Sequence, residues 1–222
     1  MITSLTANPR LGFIGIGSMG RLIARRLLES GYNLTAYNRD RTKAEALVGY
    51  GAIVAKSITD LASNTDVILS CLANDDAVRT IYAGPEGVFA NVRPGSVVIE
   101  MSTVNPETSR ELYKLGAARA VSVLDVPISG STAAAEQGTL TLFAGGERKI
   151  FDGAEPIFRA VARQYFYLGN LCLLMWGFMN MGARAGRATD VAAALRLHKH
   201  SYSRDQSDDI DFGGFKDSGL LL

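Results

Sequence analysis

Leu11-Gly12-Phe13-Ile14-Gly15-Ile16-Gly17-Ser18-Met19-Gly20 is the stretch whose reading decides the fold. A short apolar run of buried-strand type ends in Gly15-x-Gly17-x-x-Gly20 and passes directly into a helical pattern. Leu22, Ile23, Leu27 and Leu28 share one face of that helix, and Gly31 stands at its stop. The three glycines serve different ends. Gly15 permits the tight turn, Gly17 lets backbone approach a diphosphate without a Cβ in the way, and Gly20 lets helix and strand pack closely. A diphosphate there would meet unpaired amides at the positive end of the helix dipole. Strand before and helix after make dinucleotide binding the expectation for Gly15, Ile16, Gly17, Ser18, Met19 and Gly20; the competing reading is a glycine-rich turn without a ligand.

Outward from this loop, residues 33–37 read as a second strand, followed by Asn38-Arg39-Asp40-Arg41-Thr42-Lys43. A site selective for NAD places Asp or Glu near this point, about 20 residues past the glycines, to bond the ribose 2′-hydroxyl. Here Asn38 and Arg39 occupy it. A carboxylate would repel a 2′-phosphate, whereas a guanidinium binds one through two parallel hydrogen bonds. With Lys43 adding charge, Asn38, Arg39 and Lys43 are expected to favour NADP(H) over NAD(H); a solvated basic helix start is the alternative.

The βα alternation continues, which makes the fold class α/β, a Rossmann-type, doubly wound, mostly parallel sheet. Helices are expected over 44–48, 58–62, 74–82, 107–118 and 147–162, and strands over 52–55, 66–72, 96–101, 121–126, 140–144 and 165–168. Strand ends on one sheet edge converge on the ligand crevice, so Leu72, Ala73, Ser102 and Thr103 are expected to line the cofactor. A hydroxyl cap is the other reading of Thr103. Small residues at Ser129-Gly130-Ser131 make room for a bound carboxylate, with the Ser129 hydroxyl and backbone amides as donors.

Composition narrows the class. The chain has 222 residues, 47% hydrophobic and 20% charged, with a net charge of +1, so nothing electrostatic argues for nucleic acid or a membrane surface. Cys71 and Cys172 lie in apolar runs without metal-ligand spacing, which reads as buried thiols in a reducing compartment and no metal site. Residues 1–10 lack the apolar core of a secretory signal, and the apolar run 171–179 is too short to span a bilayer, so a cytoplasmic location is expected.

Residues 11–169 resemble the β-hydroxyacid dehydrogenase family, the group of 3-hydroxyisobutyrate dehydrogenase and glyoxylate/succinic semialdehyde reductase. Gly12-Phe13-Ile14-Gly15-Ile16-Gly17-Ser18-Met19-Gly20, Asn38-Arg39, Gly84-Pro85-Glu86-Gly87, Met101-Ser102-Thr103, Asp125-Val126-Pro127-Ile128-Ser129-Gly130 and Gly138-Thr139-Leu140 carry the resemblance, in order. It implies a nucleotide-binding domain over 1–169 and hydride transfer between NADP(H) and a short 3-hydroxy acid or semialdehyde. Ser129 and Gly130 would hold the substrate carboxylate. One departure lies inside the match, where Ser131 replaces the family's second glycine.

A larger departure follows Gly169. The family continues into a helix whose lysine protonates the carbonyl oxygen as hydride arrives, stabilising developing charge and supplying the proton. Ungapped counting puts Phe178 at that position, a two-residue slide puts Trp176 there, and no Lys occurs between Lys149 and Lys199. Residues 170–222 thus read as a short, incomplete remnant of the helical C-terminal domain. Its all-round apolar strip over 171–181 is expected to drive self-association. Phe215-Lys216-Asp217-Ser218-Gly219-Leu220 resembles a family motif near the nicotinamide and makes Lys216 a candidate catalytic group. The alternative to an enzyme is a catalytically inactive NADP(H)-binding protein, for which the family's chromatin-associated member lacking the lysine is a precedent.

Overall fold

Leu11–Ile14 forms β1, buried at every position, and the chain turns at the glycine loop into α1, Ser18–Glu29. Alternation then runs through β2 (Leu34–Tyr37), α2 (Arg41–Glu45), β3 (Ile53–Val54), α3 (Ile58–Asn64) and β4 (Val67–Ser70). It continues with α4 (Asp75–Tyr82), α5 (Val88–Asn91), β5 (Val97–Glu100), α6 (Pro106–Ala117) and β6 (Ser122–Asp125). These strands make one six-stranded sheet in the order β3-β2-β1-β4-β5-β6, with every pairing parallel. Parallel strands need crossover helices, and helices on both faces explain why β1, β4, β5 and β6 are buried throughout. This computed structural model describes residues 8–169.

The period of two along each strand divides the core. Phe13, Leu69 and Ile99 face one side with Ile23 and Leu27 of α1, while Ile14, Ile68 and Val98 face the other with Leu61, Val78, Val88 and Leu112. α1 owes its place to apolar residues at helical spacing, and Gly31, at φ +86, ends it as the left-handed residue after the Ser30 cap.

The α/β fold class holds, and the structure adds a second sheet that the residue pattern did not disclose. β7 (Ile128–Ser129), β8 (Leu140–Ala144) and β9 (Ala162–Tyr167) form three strands, β7 antiparallel and β9 parallel to β8. Between β7 and β8 lies α7 (Thr132–Gln137), and α8 (Arg148–Val161) joins β8 to β9. The Asp125–Gly145 bridge ties this sheet to the end of β6, and α7 and α8 both pack on α1. Boundaries shift where caps act: Asp40 accepts from the Thr42 amide at 3.2 Å and starts α2 at Arg41, so the helix expected over 44–48 ends at Glu45 and gives way to a 3-10 turn at Val48–Tyr50. The last strand begins at Ala162 rather than Tyr165, directly after α8. Expectations for Lys216, Cys172, the apolar strip over 171–181 and the helical remnant 170–222 lie outside the described residues.

Candidate functional site

The C-terminal ends of β1 and β4 lie side by side where the strand order reverses, and the glycine loop crosses this point. Gly15 adopts φ +94, and a Cβ on it would strike the Cys71 carbonyl; one on Gly20 would strike the Gly15 carbonyl. Both glycines are therefore required by packing. Gly17 differs, since a Cβ there would meet only open space. Gly17 is also the N-cap of α1 and offers no side chain to the first-turn amides, which have no acceptor within the helix. α2, α3, α4 and α7 are capped by Asp40, Ser57, Asn74 and Ser131. An uncapped helix start facing open space, with no acid in its first turn, is suited to a diphosphate.

Asn38 braces this loop. Its Oδ1 accepts from the Ile16 amide at 2.9 Å and its Nδ2 donates to the Asp40 carbonyl at 3.0 Å, so the side chain that replaces the usual ribose acid is committed to backbone. The Thr42 hydroxyl donates to Asp40 at 2.7 Å and is the main reason its carboxyl titrates below the ordinary range. Arg41 is paired with Glu45 at 2.8 Å, whereas Arg39 and Lys43 are exposed with no ion pair among the described residues. Arg39 thus stands without an ion pair among the described residues beyond the end of β2, while Lys43 lies close enough to Asp40 to help hold its carboxyl low.

Beyond β4 and β5 the chemistry changes. Leu72 is half-buried, Ala73 and Thr103 are exposed, and Ser102 is buried and accepts the Leu72 amide at 2.7 Å. Glu100 accepts the Ser102 amide at 2.8 Å and pairs with the Ser70 hydroxyl, which lies 2.6 Å from that of Tyr82. Burial raises the Glu100 carboxyl above its ordinary range, and burial pushes the Asp125 carboxyl up to about 7 against the opposing bond from Ser109. Glu100 and Asp125 are register neighbours on β5 and β6, and no described cation lies beside either. Burial, with Glu100 adding repulsion, also pushes the Cys71 thiol up to about 12, which makes it a packing group rather than a nucleophile.

Sequence reasoning missed Glu100 and Asp125 as functional candidates. The available signal was an acid closing each of two apolar strand runs. Thr103 caps no helix, since Asn105 holds the N-cap position of α6. Ser129 and Gly130 lie exposed at the end of β7, and the Ser131 Oγ caps α7 by accepting the Ala134 amide at 3.3 Å, which gives the extra side chain a local purpose. Among the described residues no cluster of His, Cys, Asp or Glu could hold a metal ion, and no helix is long and apolar enough to cross a membrane.

Residues 10–169 match the family described as the NAD binding domain of 6-phosphogluconate dehydrogenase. The NAD-dependent L-serine dehydrogenase of Pseudomonas aeruginosa is 36% identical over 160 residues, covering 72% of this chain and 54% of that protein. A probable mitochondrial 3-hydroxyisobutyrate dehydrogenase of Dictyostelium discoideum is 33% identical over 168 residues, 76% of this chain and 52% of its own. The chain thus spans about half the length of the curated relatives it matches. The solved structure of Psf3 in complex with NADP+ and 2-OPP superposes with a TM-score of 0.74 at 27% identity, covering 96% of this chain and 73% of that one. Matched over the whole described α/β region, this chain belongs to the β-hydroxyacid dehydrogenase family and carries its NAD-binding domain.

Proposed function

We propose that the chain is an NADP(H)-dependent oxidoreductase acting on a short 3-hydroxy acid or semialdehyde. The observation that carries this reading is the uncapped start of α1 at Gly17 with the exposed cations Arg39 and Lys43 following β2. First-turn amides of Ser18 and Met19 would hold a diphosphate, and Arg39 and Lys43 a 2′-phosphate. A bound nicotinamide supplies the hydride. Leu72, Ala73 and Thr103 would wall its pocket, and Ser129 and the Gly130 backbone would hold the substrate carboxylate. Residues 1–169 form the nucleotide-binding domain in this reading, residues 170–222 the remnant of a helical one, and the protein is cytoplasmic and self-associating.

A second reading rests on one sequence fact, the lack of any Lys between Lys149 and Lys199. Without the family's proton donor the chain would bind NADP(H) and not turn over, unless Lys216 serves instead. Fluorescence titration with NADPH and NADH, followed by NADPH oxidation with succinic semialdehyde, glyoxylate and tartronate semialdehyde, tests both. Turnover that survives in Lys216→Ala at ordinary rates, roughly 1–10³ s⁻¹, would mean that another group donates the proton. Binding of neither cofactor would refute both readings.

A further inference from the structure

We infer that Glu100 is a positioning residue for the second nucleotide of the cofactor, holding the loops after β4 and β5 at one fixed height beside the glycine loop. The inference rests on the dinucleotide-binding reading above. Glu100 closes β5, is 1% exposed, and accepts from the Ser102 amide and from the Ser70 hydroxyl at the end of β4, with the Ser102 and Tyr82 hydroxyls also drawn to it. Ser102, 3% exposed, passes the constraint on by accepting the Leu72 amide at 2.7 Å. The 71–72 backbone in turn abuts the glycine turn, since a Cβ on Gly15 would touch the Cys71 carbonyl and lie 3.0 Å from the Leu72 side chain. One buried carboxyl therefore reaches from β5 through the β4 loop to the floor of the crevice.

A second lashing ties the same loops on their outer side. Asp75 accepts the Asn105 amide at 2.8 Å, its side-chain nitrogen at 3.1 Å and the Thr108 hydroxyl at 2.6 Å. Stability alone does not explain a buried acid at the end of β5, because an apolar side chain of equal volume costs less to bury. Glu100 accepts from both the Ser102 amide and the Ser70 hydroxyl; a glutamine keeps the first bond through its oxygen and offers its NH2 to Ser70, whose hydroxyl can turn to accept it and donate to Tyr82. The β1–β3 half of such a fold serves one nucleotide and the β4–β6 half the other. Glu100 acts on the second alone.

The test titrates NADPH and adenosine 2′,5′-bisphosphate, which lacks the nicotinamide half, against wild type, Glu100→Ala, Glu100→Gln and Ser102→Ala, with thermal unfolding measured in parallel. Wild type binds both. In Glu100→Ala and Ser102→Ala the NADPH affinity falls about tenfold, the loss expected of an unmade buried hydrogen bond, while the bisphosphate binds as before; Glu100→Gln restores NADPH binding. Should Glu100→Ala not fold, Ser102→Ala decides, because it leaves Glu100, Ser70 and Tyr82 bonded. Unchanged NADPH affinity, or equal losses for both ligands, overturns the positioning role and leaves the dinucleotide reading standing. A wild type that binds neither ligand overturns both.

Discussion

The two halves of the six-stranded sheet prepare their strand ends in opposite ways. The β1–β3 half presents open amides and exposed cations: an uncapped α1, with Arg39 and Lys43 at the surface beyond β2. The β4–β6 half hides its charge-bearing groups, with Glu100 and Asp125 buried on adjacent strands and raised toward neutrality. Where a ligand's charge must be met, the chain leaves donors in solvent. Where loops are held, it uses hydrogen bonds in a dry interior, which stay strong because water does not compete for them.

The largest expected effect tests whether the second half is neutral. Asp125 has a folded pKa of about 7 against 3.8 for the free group. The folded state then keeps a proton that the unfolded chain has released, so its contribution to stability is full below pH ~4, falls as pH rises through the window to ~7, and changes no further above it. At about 1.4 kcal/mol for each unit the whole loss approaches about 4 kcal/mol. Urea unfolding at intervals across that window should show the decline, and Asp125→Asn should flatten it. A wild-type stability that climbs over the same range would mean that the pair is ionised.

Next comes the packing within the first half, where α1 meets the end of β1. Gly20→Val drives a side chain into the Gly15 carbonyl. The expected cost is about 3 kcal/mol from overpacking, measured by urea unfolding, together with loss of NADPH binding as α1 moves off β1. A variant that keeps both would show that the helix and strand have room to spare.

The two halves were unequally legible in the sequence. The glycine loop could be read because its logic is local: strand, turn and helix lie within ten neighbouring residues. Asn38 was placed at the correct turn, but its bond to the Ile16 amide spans 22 residues and follows only from the pairing of β1 with β2. Glu100 and Asp125 close their apolar strand runs, a signal that marks the position but does not by itself tell a buried acid from one at a strand's wet end. The second sheet escaped because β7 has two residues and its partner β8 lies beyond a helix that Ser131 starts and Gly138 ends. Short strands carry too few alternating residues to register as strands.

Arg39 sharpens the comparison from the charged side. Arg39→Ala should lower NADPH affinity by the worth of one charge-assisted contact, about 1.5–3 kcal/mol, and leave NADH nearly untouched, so the preference between the two collapses. Fluorescence titration of both cofactors reads it. An unchanged preference would move the selectivity to Lys43, whose alanine variant then carries the same expectation.

The smallest effect is the most diagnostic, because its two readouts move in opposite directions. Gly17 has an ordinary φ of −84, its missing Cβ would meet nothing, and α1 lacks a side-chain cap. Gly17→Ser therefore fits without strain and offers a hydroxyl oxygen to a first-turn amide, as Ser131 does for α7. Serine outranks glycine as a cap by only a few tenths of a kcal/mol, so unfolding of the cofactor-free protein should shift up slightly. The new side chain also occupies the space and the donor that a diphosphate needs, so NADPH affinity should drop several-fold. A cap chosen for stability alone would favour serine here, so a glycine fits the proposed diphosphate site at a small cost to the helix. If Gly17→Ser instead stabilises the protein and binds NADPH as tightly as wild type, the open end of α1 is not the diphosphate site, and the contrast between the two halves loses its charged member.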